Sequence, residues 1–160
     1  MRSILSILSV FALFLSLAFV GCKSTGSAKC ASCEKAQSVV TSVHKQHTEC
    51  TRLTVHCSMG GTMKACASTA ADRVGKASDK EDMQAVQTNQ PVVLEENGGF
   101  DVTVPIAMKD GKPTVACGVT VKGAGMTKDQ AIAKATAIAK AVETGLGGSC
   151  ECNAGGACCK

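Results

Sequence analysis

Between Val92 and Val121 the chain sets two turn dipeptides, Asn97-Gly98 and Asp110-Gly111, into alternating apolar sequence, and this pattern restricts the fold more than any other. A two-residue type I′ hairpin turn needs positive φ at both central positions, and Asn-Gly and Asp-Gly meet that need. Between the turns Phe100, Val102, Val104, Ile106 and Met108 alternate with Asp101, Thr103, Pro105 and Ala107. After the second turn Val115, Cys117, Val119 and Val121 alternate with Thr114, Ala116, Gly118 and Thr120. Period-two runs bounded by such turns predict three antiparallel strands in a meander.

The flanking sequence adds helices and two more strands. From Glu34 to His47 or Cys50, Val39, Val40 and Val43 share one side of a predicted helix. Leu53, Val55 and Cys57 then alternate with Thr54, His56 and Ser58, a strand signature. Gly60-Gly61 predicts a turn into a second strand from Met63 to Ala67. A short helix is expected from Ser78 through Val86, with Ser78 and Glu81 at capping-box spacing. Thr127 and Gln130 repeat that spacing ahead of a closing helix. There Ala131, Ile132, Ala135, Ile138, Ala139, Val142 and Leu146 form one apolar stripe, and Gly145, Gly147 and Gly148 are expected to end it. The predicted class is α+β.

Composition excludes several functions. The formal charge is +4, scattered along the chain, which is too little for a nucleic-acid interface. There is no Trp or Tyr, and three of the four Phe residues lie before Val20, so neither a base-stacking platform nor an aromatic sugar site can be built.

The N-terminus fixes the expected location. Arg2, an apolar stretch from Ile4 to Val20 and then Gly21-Cys22 fit the n-region, h-region and cleavage point of an export signal better than the alternative, an uncleaved membrane helix at the lower limit of spanning length. Phe19-Val20-Gly21-Cys22 resembles the lipobox of bacterial lipoproteins, although that pattern prefers leucine where Phe19 stands. The resemblance implies that Cys22 is acylated and becomes the new N-terminus, a palmitate-bearing anchor to the membrane. Lys23 and Ser24 follow in place of the aspartate that marks inner-membrane retention, so a periplasm-facing, outer-membrane address is expected. The chain then divides into a signal peptide (1–21), a lipid-anchored tether (22–33), one folded domain (34–146) and a Gly/Cys-rich tail (147–160). Eleven cysteines in an exported chain predict disulfides, and acylation of Cys22 leaves an even number to pair.

The element order resembles the extracytoplasmic PAS-like sensor domains of the Cache group. The residues that carry the likeness are Ala67-Ser68, Arg73-Val74-Gly75-Lys76 and Ser78-Asp79-Lys80-Glu81-Asp82 after the second strand. In the meander, Val102-Thr103-Val104-Pro105-Ile106, Asp110-Gly111-Lys112 and Gly118-Val119-Thr120-Val121 are similar as well. The resemblance implies a five-stranded antiparallel sheet in the order 2-1-5-4-3 with an N-terminal and a C-terminal helix. That order implies a Cys57 to Cys117 disulfide across adjacent strands as the favoured buried pair, the alternative being two unpaired buried thiols, while Cys66, alternating with Met63, Ala65 and Ala67, is expected to face the other way. It also implies a ligand site between the sheet and the excursion from Ala67 to Gln90. Arg73 and Lys76 would hold a carboxylate or phosphate there, and Thr103 and Thr120 would add hydroxyls. The expected role is binding of a small molecule or an envelope protein without catalysis.

A second reading is a metal-binding lipoprotein. His44, His47 and Cys50 are spaced three and three, His56 and Cys57 follow, and imidazole with thiolate suits zinc or copper. Cys30 and Cys33 add a possible chelate, and Cys150, Cys152, Cys158 and Cys159 in the tail another. A redox role for Cys30-Ala31-Ser32-Cys33 is disfavoured, because the motif follows a tether and not a strand. No serine, histidine and acid set and no carboxylate pair stands out, so the chain is not expected to be an enzyme.

Overall fold

The structure, a computed structural model, describes residues 31–59, 61–109 and 112–147. The expected signal peptide, Cys22, Cys30 and the cysteines of the tail lie outside the described residues, as do Gly60 and the Asp110-Gly111 dipeptide; the last three residues of the expected tether, 31–33, are instead the start of a helix, with Cys33 buried. The elements are α1 (Ala31–Gln46), β1 (Cys50–Met59), β2 (Thr62–Ser68), a 3-10 turn (Ala71–Arg73), α2 (Lys80–Thr88), β3 (Val92–Glu96), β4 (Gly99–Lys109), β5 (Lys112–Lys122) and α3 (Lys128–Leu146). All five strands are antiparallel neighbours in the order β2-β1-β5-β4-β3, as the resemblance implied.

Local chemistry explains most of the boundaries. Asn97 (φ 49°) and Gly98 (φ 73°) both take the left-handed conformation that the β3–β4 hairpin needs. Pro105 lies within β4, yet β3 pairs with β4 only as far as Thr103, so the proline sits where β4 has become an outer strand. At α3, Thr127 and Gln130 exchange the expected capping bonds, 3.0 and 3.3 Å. Gly147 ends that helix with φ 75°. Gly145, expected to stop α3, lies inside it, where an added Cβ would come within 2.7 Å of Val39 of α1. It is a point of close helix approach. The α2 boundary is also displaced: Asp79 and not Ser78 is the N-cap, and its backbone N–H donates to Asp82 at 3.0 Å.

One face of the sheet is the core. Leu53, Val55, Cys57, Val102, Val104, Ile106, Val115, Cys117, Val119 and Val121 are buried beneath α1 and α3. Alanines at 131, 135 and 139 let α3 lie close, and Ile138, Val142 and Leu146 fill the space between. Lys35 of α1 donates to the Leu146 carbonyl at 2.7 Å, which joins the two helices where α3 ends.

The disulfide differs from the one expected. Cys57 is bonded to Cys66, and Cys117 is a buried thiol. The cause is a bulge. Val55 pairs with Ala67 but His56 pairs with Ala65, so Cys66 is an extra residue in β2 and escapes the simple alternation that would turn it from Cys57. The Cα atoms of Cys57 and Cys66 are 6.1 Å apart, inside the range a disulfide spans. Cys117 stands opposite Val55 and Val115 opposite Cys57, leaving Cys117 offset by two residues.

Candidate functional site

The other face of the sheet is polar, and it is covered as well. Arg52, Thr54 and His56 from β1 share this face with Gly118 and Thr120 from β5 and Asp101 and Thr103 from β4, by strand alternation and register. Thr54, His56, Thr103 and Thr120 are all buried, which strand alternation alone would not require of the face away from the core. The cover is the excursion between β2 and β3, whose helix α2 packs on β3, β4 and β5. Its backbone first pairs along the outer edge of β2: Ala65 N–H donates to Lys76 O at 3.0 Å, Gly75 N–H to Ala65 O at 2.8 Å and Ser78 N–H to Met63 O at 3.0 Å. That pairing protects an edge strand and delivers Ser78 and Asp79 onto the polar face.

Asp82 is the centre of the resulting network. It is 6% exposed, accepts the Thr103 hydroxyl at 3.1 Å and the Asp79 N–H at 3.0 Å, and its Oδ2 lies 3.2 Å from His56 Nδ1. Ser78 Oγ is 2.8 Å from the same His56 nitrogen. Beside it Arg52 and Asp101 form an ion pair at 2.7 Å, and Asp101 also accepts the Thr120 hydroxyl at 2.9 Å. Arg73 pairs with Asp79 at 3.4 Å at the rim. Burial holds the His56 imidazole below its ordinary pKa, against the attraction of Asp82 and Asp79, so the ring is neutral. A carboxylate can only accept, so Nδ1 carries the proton and Nε2 keeps its lone pair.

Two adjoining cavities open over this network. One of about 150 Å³ has Asp79, Glu81, Asp82, Glu96 and Asp101 facing Arg73. A smaller one of about 30 Å³ is walled by His56, Arg52, Thr54 and Gly118 and shares Arg73, Asp79 and Thr103 with the first. An open groove of about 820 Å³ between α1 and β2, lined by Gln37, Ser38, Thr41 and Ser68, is larger, yet it contains none of the buried charges described above.

Of the residues expected to hold a ligand, Arg73 and Thr103 meet at both small cavities. Thr120 shares the face but reaches the site only through Asp101. Lys76 does not join them: it is exposed and pairs with Asp72 at 3.2 Å. Sequence reading assigned no role to Asp82, Asp101 or Arg52, and gave His56 only a supporting place beside the metal set. For Arg52, His56 and Asp101 the signal was present as polar residues at period two on strands that the sheet order places together, whereas Asp82 lies on α2 and carried no such signal.

The alternative metal set does not converge. His44 lies in the last turn of α1 with Nε2 buried and without a hydrogen-bond partner, His47 Nδ1 lies 3.7 Å from Glu49, and the Cys50 thiol donates to Arg52 O at 3.2 Å. Burial pushes the Cys50 thiol up to about 11, away from the thiolate a metal needs. Among the described residues no group of three or more His, Cys, Asp or Glu side chains is placed to hold a metal ion.

No family model and no curated protein matches the sequence. Solved structures do. The GAF domain from an Acinetobacter phosphoenolpyruvate-protein phosphotransferase is similar at TM-score 0.53 and 13% identity, over 75% of this chain and 84% of that one. The type II free methionine-R-sulfoxide reductase of Thermoplasma acidophilum matches at TM-score 0.45 and 16% identity, over 71% and 93%. The topology and the GAF likeness establish a PAS/GAF-like α+β fold.

Proposed function

We propose that this chain is a lipid-anchored, extracytoplasmic binding domain of the Cache type, acylated at Cys22, that takes a small ligand or the edge of a partner protein over the polar sheet face and performs no chemistry. The observation that carries this reading is the buried network of His56, Asp82 and Thr103, flanked by the half-buried Arg52–Asp101 pair, beneath two small cavities. Burying charged and hydroxyl groups on the sheet is costly unless they are paired or put to use. An excursion that only covered a sheet could do so with apolar side chains.

The same geometry argues against catalysis. Ser78 and Asp82 both address Nδ1 of His56, whereas a serine nucleophile must face the ring nitrogen opposite the carboxylate. The Cys117 thiol is fully buried, its ionisation pushed far up by desolvation. Among the described residues no helix is long and apolar enough to cross a membrane.

A thermal-shift screen of the full chain against carboxylates, amines, amino acids and nucleosides tests the binding role, since a ligand of the folded state raises its apparent stability. The expected result is at least one stabilising compound whose effect is lost in Thr103→Val. A screen in which no compound shifts the transition overturns it. Anchoring is tested separately by palmitate labelling, expected in the wild type and absent in Cys22→Ser; an unlabelled wild type overturns that part.

A further inference from the structure

We infer that the ligand of the polar face is a small organic cation carrying an ammonium group, received by the lone pair on His56 Nε2 and by the carboxylates around it. This deepens the binding role proposed above and rests on it. Two independent observations converge.

The first is His56 itself. Its side chain is 8% exposed, and its Nδ1 proton is committed to Asp82 and Ser78. Among the described residues Nε2 has no hydrogen-bond partner, although the ring walls the smaller cavity. The ring is buried while Nε2 opens on a cavity, so its lone pair is available to a donor, and an ammonium brings up to three. The space in front of the nitrogen is held open by Gly118. A Cβ built there would lie 3.6 Å from Nε2, 3.9 Å from Thr54 O and 4.0 Å from the Thr54 side chain, which are ordinary contacts with no clash. Any larger residue would begin to fill the place.

The second is the charge of the walls. Both guanidiniums at the site are engaged, Arg52 with Asp101 and Arg73 with Asp79. Glu81 and Glu96 line the larger cavity, and among the described residues neither has an ion pair. An anionic ligand would meet five carboxylates on entry, whereas a cation is drawn in by the same field. This reverses the expectation that Arg73 holds a carboxylate or phosphate. His56 opens on the cavity of about 30 Å³, which has room for little more than the ammonium head, and the adjoining cavity of about 150 Å³ limits the rest of the occupant to a few heavy atoms.

The test uses the full chain with three probes of nearly equal size: n-propylammonium, propan-1-ol and propionate. Binding is followed by thermal shift and by calorimetry at pH 7.5. The expected result is a saturable shift with n-propylammonium alone. His56→Asn keeps an N–H toward Asp82 but deletes Nε2, and it should weaken n-propylammonium binding at least tenfold. Gly118→Ala, which the contacts above allow to fold, should weaken it by a similar factor while circular dichroism stays that of the wild type. A shift with propionate or propan-1-ol that Gly118→Ala removes would overturn the ammonium assignment and leave the binding role standing. Binding of n-propylammonium that both variants retain would overturn the assignment to His56. No shift with any of the three, in a protein that responds to another compound of the wider screen, would overturn the assignment alone. No shift in either experiment would overturn both readings.

Discussion

Asp82→Ala is the substitution with the largest consequence outside the apolar core. The carboxylate joins three elements: the N-terminus of α2 through the Asp79 N–H, β4 through Thr103 and β1 through His56. The three losses differ in size. Asp79 is exposed, so its N–H is taken over by water, and the loss resembles that of a helix cap, about 1 kcal/mol. The Thr103 hydroxyl is buried and would be stranded, at a cost of about 1–3 kcal/mol. The His56 N–H keeps Ser78 at 2.8 Å, and its share is the smallest, about 0.5–1 kcal/mol. Removing a buried charge returns part of its desolvation cost, so the net loss is about 3 kcal/mol, within the range for breaking a buried pair from one side. In a domain of this size that lowers the melting temperature by about 10 °C.

The chain has no Trp or Tyr, so urea unfolding of the oxidised protein is followed by far-ultraviolet circular dichroism and not by fluorescence. The slope m should not change, since the surface exposed on unfolding is the same. Asp82→Ala/Thr103→Val supplies the internal control. Replacing the stranded hydroxyl with a methyl group removes its penalty, so the double variant should be more stable than Asp82→Ala by about 1 kcal/mol. A loss below about 1 kcal/mol for Asp82→Ala, or a double variant in which the two losses simply add, would refute the claim that Asp82 organises the face.

Three further outcomes follow from the same structure. The His56 pKa is depressed on folding, so the unfolded chain takes up this proton first as pH falls; stability should be full above about pH 6.5 and decline below it, at most about 1.4 kcal/mol per pH unit. Asp82, Asp79, Arg73, Asp101 and Arg52 surround the ring, and His56→Asn should remove that part of the slope; a wild-type stability that rises between pH 6.5 and 5 would contradict it. Replacing Cys57 and Cys66 together with alanine opens a link of sequence separation 9, which loop-closure entropy values at about 2.5 kcal/mol, measurable in the same urea titration. Iodoacetamide at pH 7.5 should leave Cys50 and Cys117 unmodified in the native protein and alkylate both in urea, as read by intact mass; rapid native labelling of Cys117 would disprove its burial.

Much of the architecture was legible because it is written in local signals. Asn97-Gly98 makes its turn for a reason internal to two residues, and Thr127 with Gln130 caps α3 through bonds spanning three. The errors fall where the outcome depends on a neighbouring strand. The bulge at Cys66 is a feature of how β2 pairs with β1, and without it the partner of Cys57 was misassigned. The cap of α2 moved by one residue because Asp79 binds Asp82 while Ser78 is drawn to His56. Gly145 reads as a helix stop until Val39 is seen against it.

By itself the sequence determined the class, the strands and the composition limits, because hydrophobic period, turn chemistry and the absence of Trp and Tyr act within short windows or over the whole chain. Tertiary structure alone decided which cysteines bond and what the polar face does. His56 of β1, Asp82 of α2 and Thr103 of β4 lie 21 residues or more apart along the chain. They become one network only when β1, β5 and β4 lie side by side and the excursion folds back over them, since hydrogen bonds act across about 3 Å in space, whatever the separation along the backbone.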